Sequence, residues 1–140
     1  MGDRDSMTEQ TDKKRTKRRA SDDYPTPGPV VDAFLDRIDW FRVRSFLEPC
    51  AGDGAIIDRA AARMTSPRQL VRGVELRHGG PGFIRADYLE LPQLGVSLEH
   101  PHTIAGPHLD AFDLAITNPP FNLAGQFLEK LLRECVTVCL

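Results

Sequence analysis

Residues 44–54 read Arg-Ser-Phe-Leu-Glu-Pro-Cys-Ala-Gly-Asp-Gly, and this stretch decides the fold that the sequence predicts. Its first five residues indicate a short strand, which Pro49 ends because proline has no N–H to donate to a sheet. Gly52 and Gly54 then allow a sharp turn, and the alanine-rich residues 55–64 predict a helix. A strand joined to a helix through such a turn is the repeating unit of parallel α/β sheets.

Strands and helices alternate along the rest of the chain in the same way. Four further strands are predicted, over residues 70–75, 83–87, 112–117 and 136–140, the last of them cut short by the chain end. Two further helices each have an apolar face, formed by Val30, Val31, Phe34, Leu35 and Ile38 in one and by Phe127, Leu128, Leu131 and Leu132 in the other. Residues 91–110 have no clear period and are expected to form a loop. The predicted fold class is α/β, a doubly wound, mostly parallel sheet with helices on both faces.

Length and composition are those of a single globular domain. The 140 residues are 41% hydrophobic, and no apolar run reaches the roughly 20 residues of a membrane span. The charged N-terminus contains no apolar signal segment. The three cysteines, at positions 50, 135 and 139, form no CxxC pair, so free thiols in a reducing, cytoplasmic location are expected. No metal site is predicted.

The charge is distributed unevenly, although the formal net charge is only −2. Residues 13–19 carry six positive charges in seven positions, within a segment 1–23 that has almost nothing to bury and is expected to be disordered. Residues 24–140, the expected folded domain, have a net charge of −3. The basic run is a candidate for phosphate contacts with nucleic acid. A solvated tail or a nuclear address explains it equally well, because acidic residues on both sides nearly cancel its charge.

Ligands of an open α/β sheet bind beyond the carboxyl ends of the strands, where the strand order reverses. Four segments with glycines or polar side chains fall there, namely residues 48–54, Glu75, Asp87 and Asn118. The Gly-x-Gly turn allows a ligand to approach the backbone closely, whereas a turn that binds nothing is the alternative. A dinucleotide fingerprint needs a third glycine near position 57, which is isoleucine here, so NAD is disfavoured.

Two acidic residues are candidates for contacts with a nucleoside. Glu75 lies 21 residues after Gly54 at a strand end, where a carboxylate is placed to accept hydrogen bonds from ribose hydroxyls. Asp87 is placed to accept a hydrogen bond from an adenine amino group in the same pocket. Taken alone, Glu75 is more often a surface residue, so its assignment depends on the glycine turn beside it.

The segment Asn118-Pro119-Pro120-Phe121 directly follows a strongly apolar strand. Since proline fixes the backbone and donates no hydrogen bond, the Asn118 side-chain oxygen and the Pro119 carbonyl form a pair of acceptors. Such a pair suits a planar amino group, whose two hydrogens it holds while the nitrogen lone pair turns toward an electrophile. Phe121 offers a flat face for stacking a ring. The alternative is a Pro-Pro strand terminator followed by a core phenylalanine.

Together these residues resemble the amino-directed S-adenosylmethionine-dependent methyltransferases, and the phage and bacterial DNA N6-adenine enzymes in particular. Residues 48–54 are similar to the family's acid-Pro-x-x-Gly-x-Gly cofactor loop, residues 118–121 to its Asp/Asn/Ser-Pro-Pro-aromatic motif, and residues 24–27 to a segment that precedes the cofactor loop in one subgroup. The resemblance implies a Rossmann-like class I methyltransferase fold and catalysis by Asn118, Pro119, Pro120 and Phe121. It implies that S-adenosyl-L-methionine is bound by Tyr24, Thr26, Pro27, Glu48, Pro49, Ala51, Gly52, Asp53, Gly54, Glu75 and Asp87.

The activity that the resemblance implies is methyl transfer to the exocyclic amino group of adenine in DNA, with the base flipped out of the duplex. It implies no metal, general base or covalent enzyme intermediate, so positioning and electrostatics carry the rate. An RNA base or a protein glutamine amide as acceptor, and a truncated cofactor-binding remnant, stay open as alternatives; a plain nucleotide-binding domain is a more distant one. Family members continue past the fifth strand with a hairpin and usually a DNA-reading region, which implies a missing C-terminal region or a partner chain.

Overall fold

A computed structural model of the chain describes residues 25–77, 83–97, 99–106 and 109–140. The elements in chain order are α1 (Gly28–Leu35), β1 (Ser45–Glu48), α2 (Ile57–Arg63), β2 (Leu70–Glu75), β3 (Phe83–Arg85), β4 (Phe112–Ile116), α3 (Ala124–Glu134) and β5 (Cys135–Cys139), with 3₁₀ turns at Tyr88–Glu90 and Phe121–Leu123. Within the described ranges, no helix has the length and apolar character needed to cross a membrane. The segment 1–23, expected to be disordered, and Tyr24 lie outside the described residues.

The five strands form one parallel sheet in the order β3-β2-β1-β4-β5. The chain therefore builds outward from β1 to β3, and then returns to the other side of β1 for β4 and β5. The strand order reverses between β1 and β4, which is the position where sheets of this kind bind their ligands. The predicted α/β class with a doubly wound parallel sheet is confirmed.

Apolar side chains cover both faces of the sheet, because successive strand residues point to opposite sides. Phe46 and Leu47 of β1 accordingly belong to two different core clusters. The cluster around Phe46 includes side chains of α1 and α2, namely Val31, Leu35, Ile57 and Ala60. The cluster around Leu47 includes side chains of α3 and of the segment after β3, namely Phe127, Leu131, Tyr88, Leu94 and Val96. The sheet is thus the middle of three layers.

Ion pairs join α1 to α2. Arg63 Nη2 lies 3.1 Å from Asp32 Oδ1 and 2.7 Å from Asp36 Oδ1, and Arg59 Nε lies 3.3 Å from Asp32 Oδ2. These side chains are partly exposed, so each pair contributes modestly to stability. They hold α1 and α2 together, and therefore hold the segment that precedes α1 near the loop that joins β1 to α2.

The apolar face predicted for the first helix is only partly correct. Val31 and Leu35 are buried, whereas Val30 and Phe34 are exposed. The helix also ends at Leu35 rather than continuing to Ile38. The Leu35 carbonyl accepts hydrogen bonds from the Ile38 N–H at 3.1 Å and from the Trp40 indole at 2.9 Å, which turns the chain toward β1.

The apolar face predicted for the last helix needs a similar correction. Phe127 and Leu131 are buried, but Leu128 is partly exposed and Leu132 is 64% exposed. The third buried position of α3 is occupied by Glu134 instead. The sequence prediction assigned every leucine of the helix to the buried face, whereas the sheet covers only one side of the helix.

The described residues of the segment 91–110 form more than a plain loop. Leu94 pairs with Ala105 and Val96 with Asp110 as isolated antiparallel bridges, so the chain doubles back on itself. Leu94 and Val96 are buried against the sheet. Neither pair belongs to a run long enough to give an alternating pattern, which is why sequence periodicity did not reveal them.

Other element boundaries also differ from the sequence prediction by one or two residues. The second helix begins at Ile57 rather than at position 55, and β3 ends at Arg85, two residues earlier than predicted. The fifth strand, predicted over 136–140, covers Cys135–Cys139 and pairs with β4 between positions 112 and 116. It forms an edge of the sheet, and Val136 on it is 75% exposed.

Candidate active site

Two adjoining clefts lie at the carboxyl ends of the strands. The first has a volume of about 170 Å³ and is lined by Thr26, Glu48, Ala51 and Asp53 among others. The second, of about 60 Å³, is lined by residues that include Pro49, Glu75, Asp87, Tyr88, Pro120 and Phe127. Cys50, Gly52 and Asn118 line both clefts. The structure therefore brings the four segments singled out in the sequence to one place.

The loop after β1 has the conformation that its glycines allow. Gly52 and Gly54 have φ angles of 54° and 89°, in the left-handed region that other residues rarely adopt. The Ala51 N–H donates to the Val74 carbonyl at 3.0 Å, and the Gly52 N–H donates to Glu75 Oε2 at 2.5 Å. The loop is thus fixed to the end of β2, and its backbone forms the floor shared by the two clefts.

Glu75 is buried, and its carboxylate is held by backbone donors. Oε2 accepts from the Gly52 N–H, and Oε1 accepts from the Arg77 N–H at 3.0 Å. Each carboxylate oxygen has capacity for a further hydrogen bond. A pair of hydroxyl groups entering the second cleft would therefore meet acceptors that are already oriented.

Glu48 contributes a buried carboxyl group to the first cleft. The residue is 1% exposed, and Oε2 has no hydrogen-bond partner among the described residues. Burial, together with the nearby carboxylates of Asp53, Asp58 and Glu75, raises the pKa of this group to about 9, although a backbone hydrogen bond from Ile57 acts to lower it. A cationic group bound in this cleft would favour the ionised form of Glu48.

Asp87 begins the 3₁₀ turn at Tyr88–Glu90. Its Oδ1 accepts a hydrogen bond from the Leu89 N–H at 3.1 Å, which is the capping interaction of that turn. Tyr88 is buried, and its ring packs on the Phe127 ring with the centroids 5.2 Å apart. Asp87 is therefore presented to the second cleft by a turn that is itself packed against α3.

The segment after β4 places its four residues in different environments. Asn118 is exposed at the junction of the two clefts, and its Nδ2 donates to the Thr26 hydroxyl at 3.1 Å. Pro119 is buried and Pro120 half-buried. Phe121 is 80% exposed, which excludes the alternative that this residue belongs to the core.

Not every residue predicted for the site lines a cleft. Pro27, Gly54, Pro119 and Phe121 do not, although each adjoins a residue that does. Conversely, Tyr88 and Phe127 line the second cleft but were not selected from the sequence. Phe127 was assigned only to the apolar face of its helix. Tyr88 could have been suspected from the sequence only because it directly follows Asp87.

No group of three or more side chains suited to a metal ion occurs within the ranges that the structure covers. The polar groups of the residues that line the clefts are instead carboxylates, the Asn118 amide, the Arg77 guanidinium, the hydroxyls of Thr26 and Tyr88, the Cys50 thiol and backbone groups. This set suits an elongated organic ligand that carries a positive charge at one end and hydroxyl groups at the other.

Comparisons with known proteins support the fold. No protein-family model matches the sequence, and no curated protein matches it significantly. Among solved structures, the chain is similar to a modification subunit assigned to a type I restriction enzyme of Vibrio vulnificus YJ016, with a TM-score of 0.54 and 19% sequence identity. The match covers 89% of this chain and 34% of that subunit, so the chain spans about a third of its length. A likeness at this level of identity shows a common fold.

Proposed function

We propose that residues 24–140 form an S-adenosylmethionine-dependent methyltransferase domain that acts on the exocyclic amino group of adenine in DNA. The observation that carries the proposal is the junction of the two clefts, where Asn118 and Gly52 line both the cleft that contains Glu48 and the cleft that contains Glu75. A cofactor lying across Gly52 would extend into both clefts and pass Asn118 at its middle.

The residues of the first cleft fit the charged end of such a cofactor. Glu48 has a buried oxygen without a partner among the described residues, and Asp53 adds a second carboxylate. Carboxylates at this position stabilise an ammonium group and a positively charged sulfur. Thr26 and the backbone of the glycine loop provide hydrogen-bonding groups for the remainder of that end.

The residues of the second cleft fit the nucleoside end. Glu75 provides oriented acceptors for ribose hydroxyls, and Asp87 provides an acceptor for the adenine amino group. Phe127 and Tyr88 offer apolar surface for the base. Because the cleft has a volume of only about 60 Å³ in this structure, entry of an adenine would require its walls to separate.

Methyl transfer then depends on how the acceptor is held. A bound cofactor would supply an electrophilic methyl group: the target nitrogen would bond to the methyl carbon as the bond from that carbon to the sulfonium sulfur breaks, the thioether would leave, and the nitrogen would release its extra proton to water. The Asn118 Oδ1 and the Pro119 carbonyl accept hydrogen bonds from the two hydrogens of the target amino group, so its lone pair faces the cofactor. Phe121, exposed beside them, stacks on the target base. These residues contribute position and electrostatic stabilisation.

DNA adenine is proposed as the acceptor on two grounds. Residues 118–121 resemble the motif of the DNA N6-adenine enzymes, and the similar solved structure is a modification subunit of a restriction enzyme. The basic run at 13–19 provides charge for phosphate contacts. Selection of a DNA sequence is proposed to require a further region or a partner chain.

The test is transfer of radiolabelled methyl from S-adenosylmethionine to unmethylated DNA, with RNA and protein offered in parallel. The proposal expects label in DNA adenine, and expects none with the Asn118→Ala variant. Label in RNA or in glutamine would show that the reaction is methyl transfer but that the acceptor is not DNA adenine. Cofactor binding by calorimetry without any transfer would identify an incomplete enzyme, and absence of binding would contradict the proposal.

A further inference from the structure

Glu134, the last residue of α3, buries its carboxylate against the segment that follows β3. The residue is 1% exposed. Its Oε2 accepts a hydrogen bond from the Tyr88 hydroxyl at 2.5 Å, and its Oε1 accepts from the Leu94 N–H at 2.8 Å. Lys130, one helical turn earlier, pairs with Oε1 at 2.5 Å and also donates to the Pro92 carbonyl at 3.1 Å. The Glu134 carboxylate thus joins α3 to two points of the segment 88–94, and Lys130 adds a third.

Packing alone does not explain a carboxylate at this position. Glu134 follows Phe127 and Leu131 on the buried face of α3, where an aliphatic side chain would fill the space. A buried ion pair is seldom more stabilising than apolar residues of similar volume, because both charges lose their hydration. What the carboxylate adds is a defined set of hydrogen bonds, and therefore a defined position for the groups that donate them.

Glu134 is connected to the second cleft through Tyr88, which lines that cleft. The Tyr88 hydroxyl is fixed by Glu134, while the Tyr88 ring packs on Phe127 and lies with its centroid 4.8 Å from the Lys130 ammonium. Tyr88 opens the 3₁₀ turn that Asp87 caps. Glu134 itself does not line the cleft, so any effect that it has on a ligand passes through Tyr88.

We propose that Glu134 is a positioning residue which, through Tyr88, holds the turn that carries Asp87 and thereby sets the nucleobase preference of the second cleft. The inference rests on the proposed function in that the ligand of Asp87 is taken to be the cofactor's base. A carboxylate accepts a hydrogen bond from the amino group of adenine and repels the carbonyl oxygen of hypoxanthine. This discrimination requires the carboxylate to be held within about 0.5 Å of its working position.

Two variants and a matched control separate positioning from general stability. Glu134→Gln keeps the shape of the side chain and removes its charge. Tyr88→Phe removes one hydroxyl and leaves Glu134 with Leu94 and Lys130, so it serves if the first variant does not fold. Glu129→Gln is the control, because Glu129 pairs with Arg133 at 2.5 Å on the same helix but on its exposed side.

The first measurement needs no ligand. Hydrogen exchange of the full chain is followed at the amides of Leu89 and Leu91, which donate to Asp87 Oδ1 and to the Tyr88 carbonyl. Both variants are expected to accelerate exchange at these amides about tenfold relative to the amides of β1, by local opening of the turn. The control is expected to match the unaltered protein. Unchanged exchange in both variants would overturn the inference.

The second measurement compares the affinities of S-adenosylhomocysteine and its S-inosyl analogue. The unaltered protein is expected to prefer the adenosyl ligand, and both variants to lose about tenfold of that preference, or about 1.4 kcal/mol. A merely structural role would weaken both ligands equally and preserve the ratio, which would refute the inference. If the unaltered protein bound neither ligand, the proposed function would be wrong, and the exchange measurement would still decide whether Glu134 positions the turn.

Discussion

The side-chain amide of Asn118 donates a hydrogen bond from Nδ2 to the hydroxyl oxygen of Thr26, at 3.1 Å. The two residues are 92 positions apart in the sequence and belong to the segments after β4 and before α1. Since the amide nitrogen is directed toward Thr26, the amide oxygen is directed elsewhere, as the proposed reaction requires of its acceptor. The sequence resemblance gave Thr26 a role in binding the cofactor; the contact adds a role in orienting Asn118.

Replacing Thr26 with valine should lower turnover more than it lowers cofactor affinity. The variant keeps the volume of the side chain but cannot accept the hydrogen bond, which is worth about 1 kcal/mol, or about fivefold in rate. Turnover and the cofactor dissociation constant are measured separately, and Thr26→Ser, which keeps the hydroxyl, is expected to restore turnover. Weaker cofactor binding with unchanged turnover would show that Thr26 contacts the cofactor and does not orient Asn118.

Replacing Asn118 with alanine should abolish methyl transfer and leave cofactor affinity nearly unchanged. The amide oxygen is assigned to the target amino group, so its loss affects the reacting geometry rather than the cofactor. Asn122→Ala is the matched control, because Asn122 is an exposed asparagine four positions later in the chain. A parallel loss of binding and transfer in Asn118→Ala would instead indicate that the residue maintains the shape of the clefts.

Replacing Gly52 with alanine should reduce cofactor affinity by more than its modest effect on folding stability. An added Cβ meets no protein atom within 4 Å, so it would point into the space of the clefts, and the φ angle of 54° costs about 1 kcal/mol in a non-glycine residue. Calorimetry gives the affinity and urea unfolding the stability. Gly125→Ala, in an open helical position of α3, is the control and should stabilise the protein by about 1 kcal/mol. Unchanged affinity in Gly52→Ala would place the cofactor elsewhere.

The parts of the fold that the sequence predicted well are those with a local cause. β2 was predicted with its observed bounds, because a short run containing the aliphatic residues Leu70, Val71 and Val74 ends at Glu75. The turn around Gly52 was predicted because left-handed φ angles require glycine. Parallel strands then bring their carboxyl ends to one edge, so the convergence of Glu48, Glu75 and Asn118 followed from topology.

The parts that the sequence did not predict depend on contacts between distant segments. Leu131 and Leu132 are the same residue type in the same helix, so the sequence does not distinguish them. Leu131 is buried and Leu132 is exposed because the sheet covers only one side of the helix. Glu134 was not singled out from the sequence. Its burial depends on Tyr88, 46 positions earlier, and no periodicity in the sequence links the two.

The buried carboxyl of Glu48 should make the protein less stable as the pH rises. Its pKa is about 9 in the folded state against an ordinary value of 4.5, so between these values the folded chain binds a proton that the unfolded chain does not. The free energy of unfolding should therefore fall with pH across this window, by up to about 1.4 kcal/mol per pH unit from this group.

Glu48→Gln isolates this effect, because glutamine keeps the shape of the side chain and has no proton to lose. The difference in urea-unfolding free energy between the variant and the unaltered protein is measured at pH 6 and pH 8. The variant is expected to gain stability relative to the unaltered protein as the pH rises, since only the latter must keep a proton on Glu48 or bury its charge. A difference that stays constant between the two pH values would mean that Glu48 is ionised in the folded protein, and that the first cleft holds a negative charge before any cation binds.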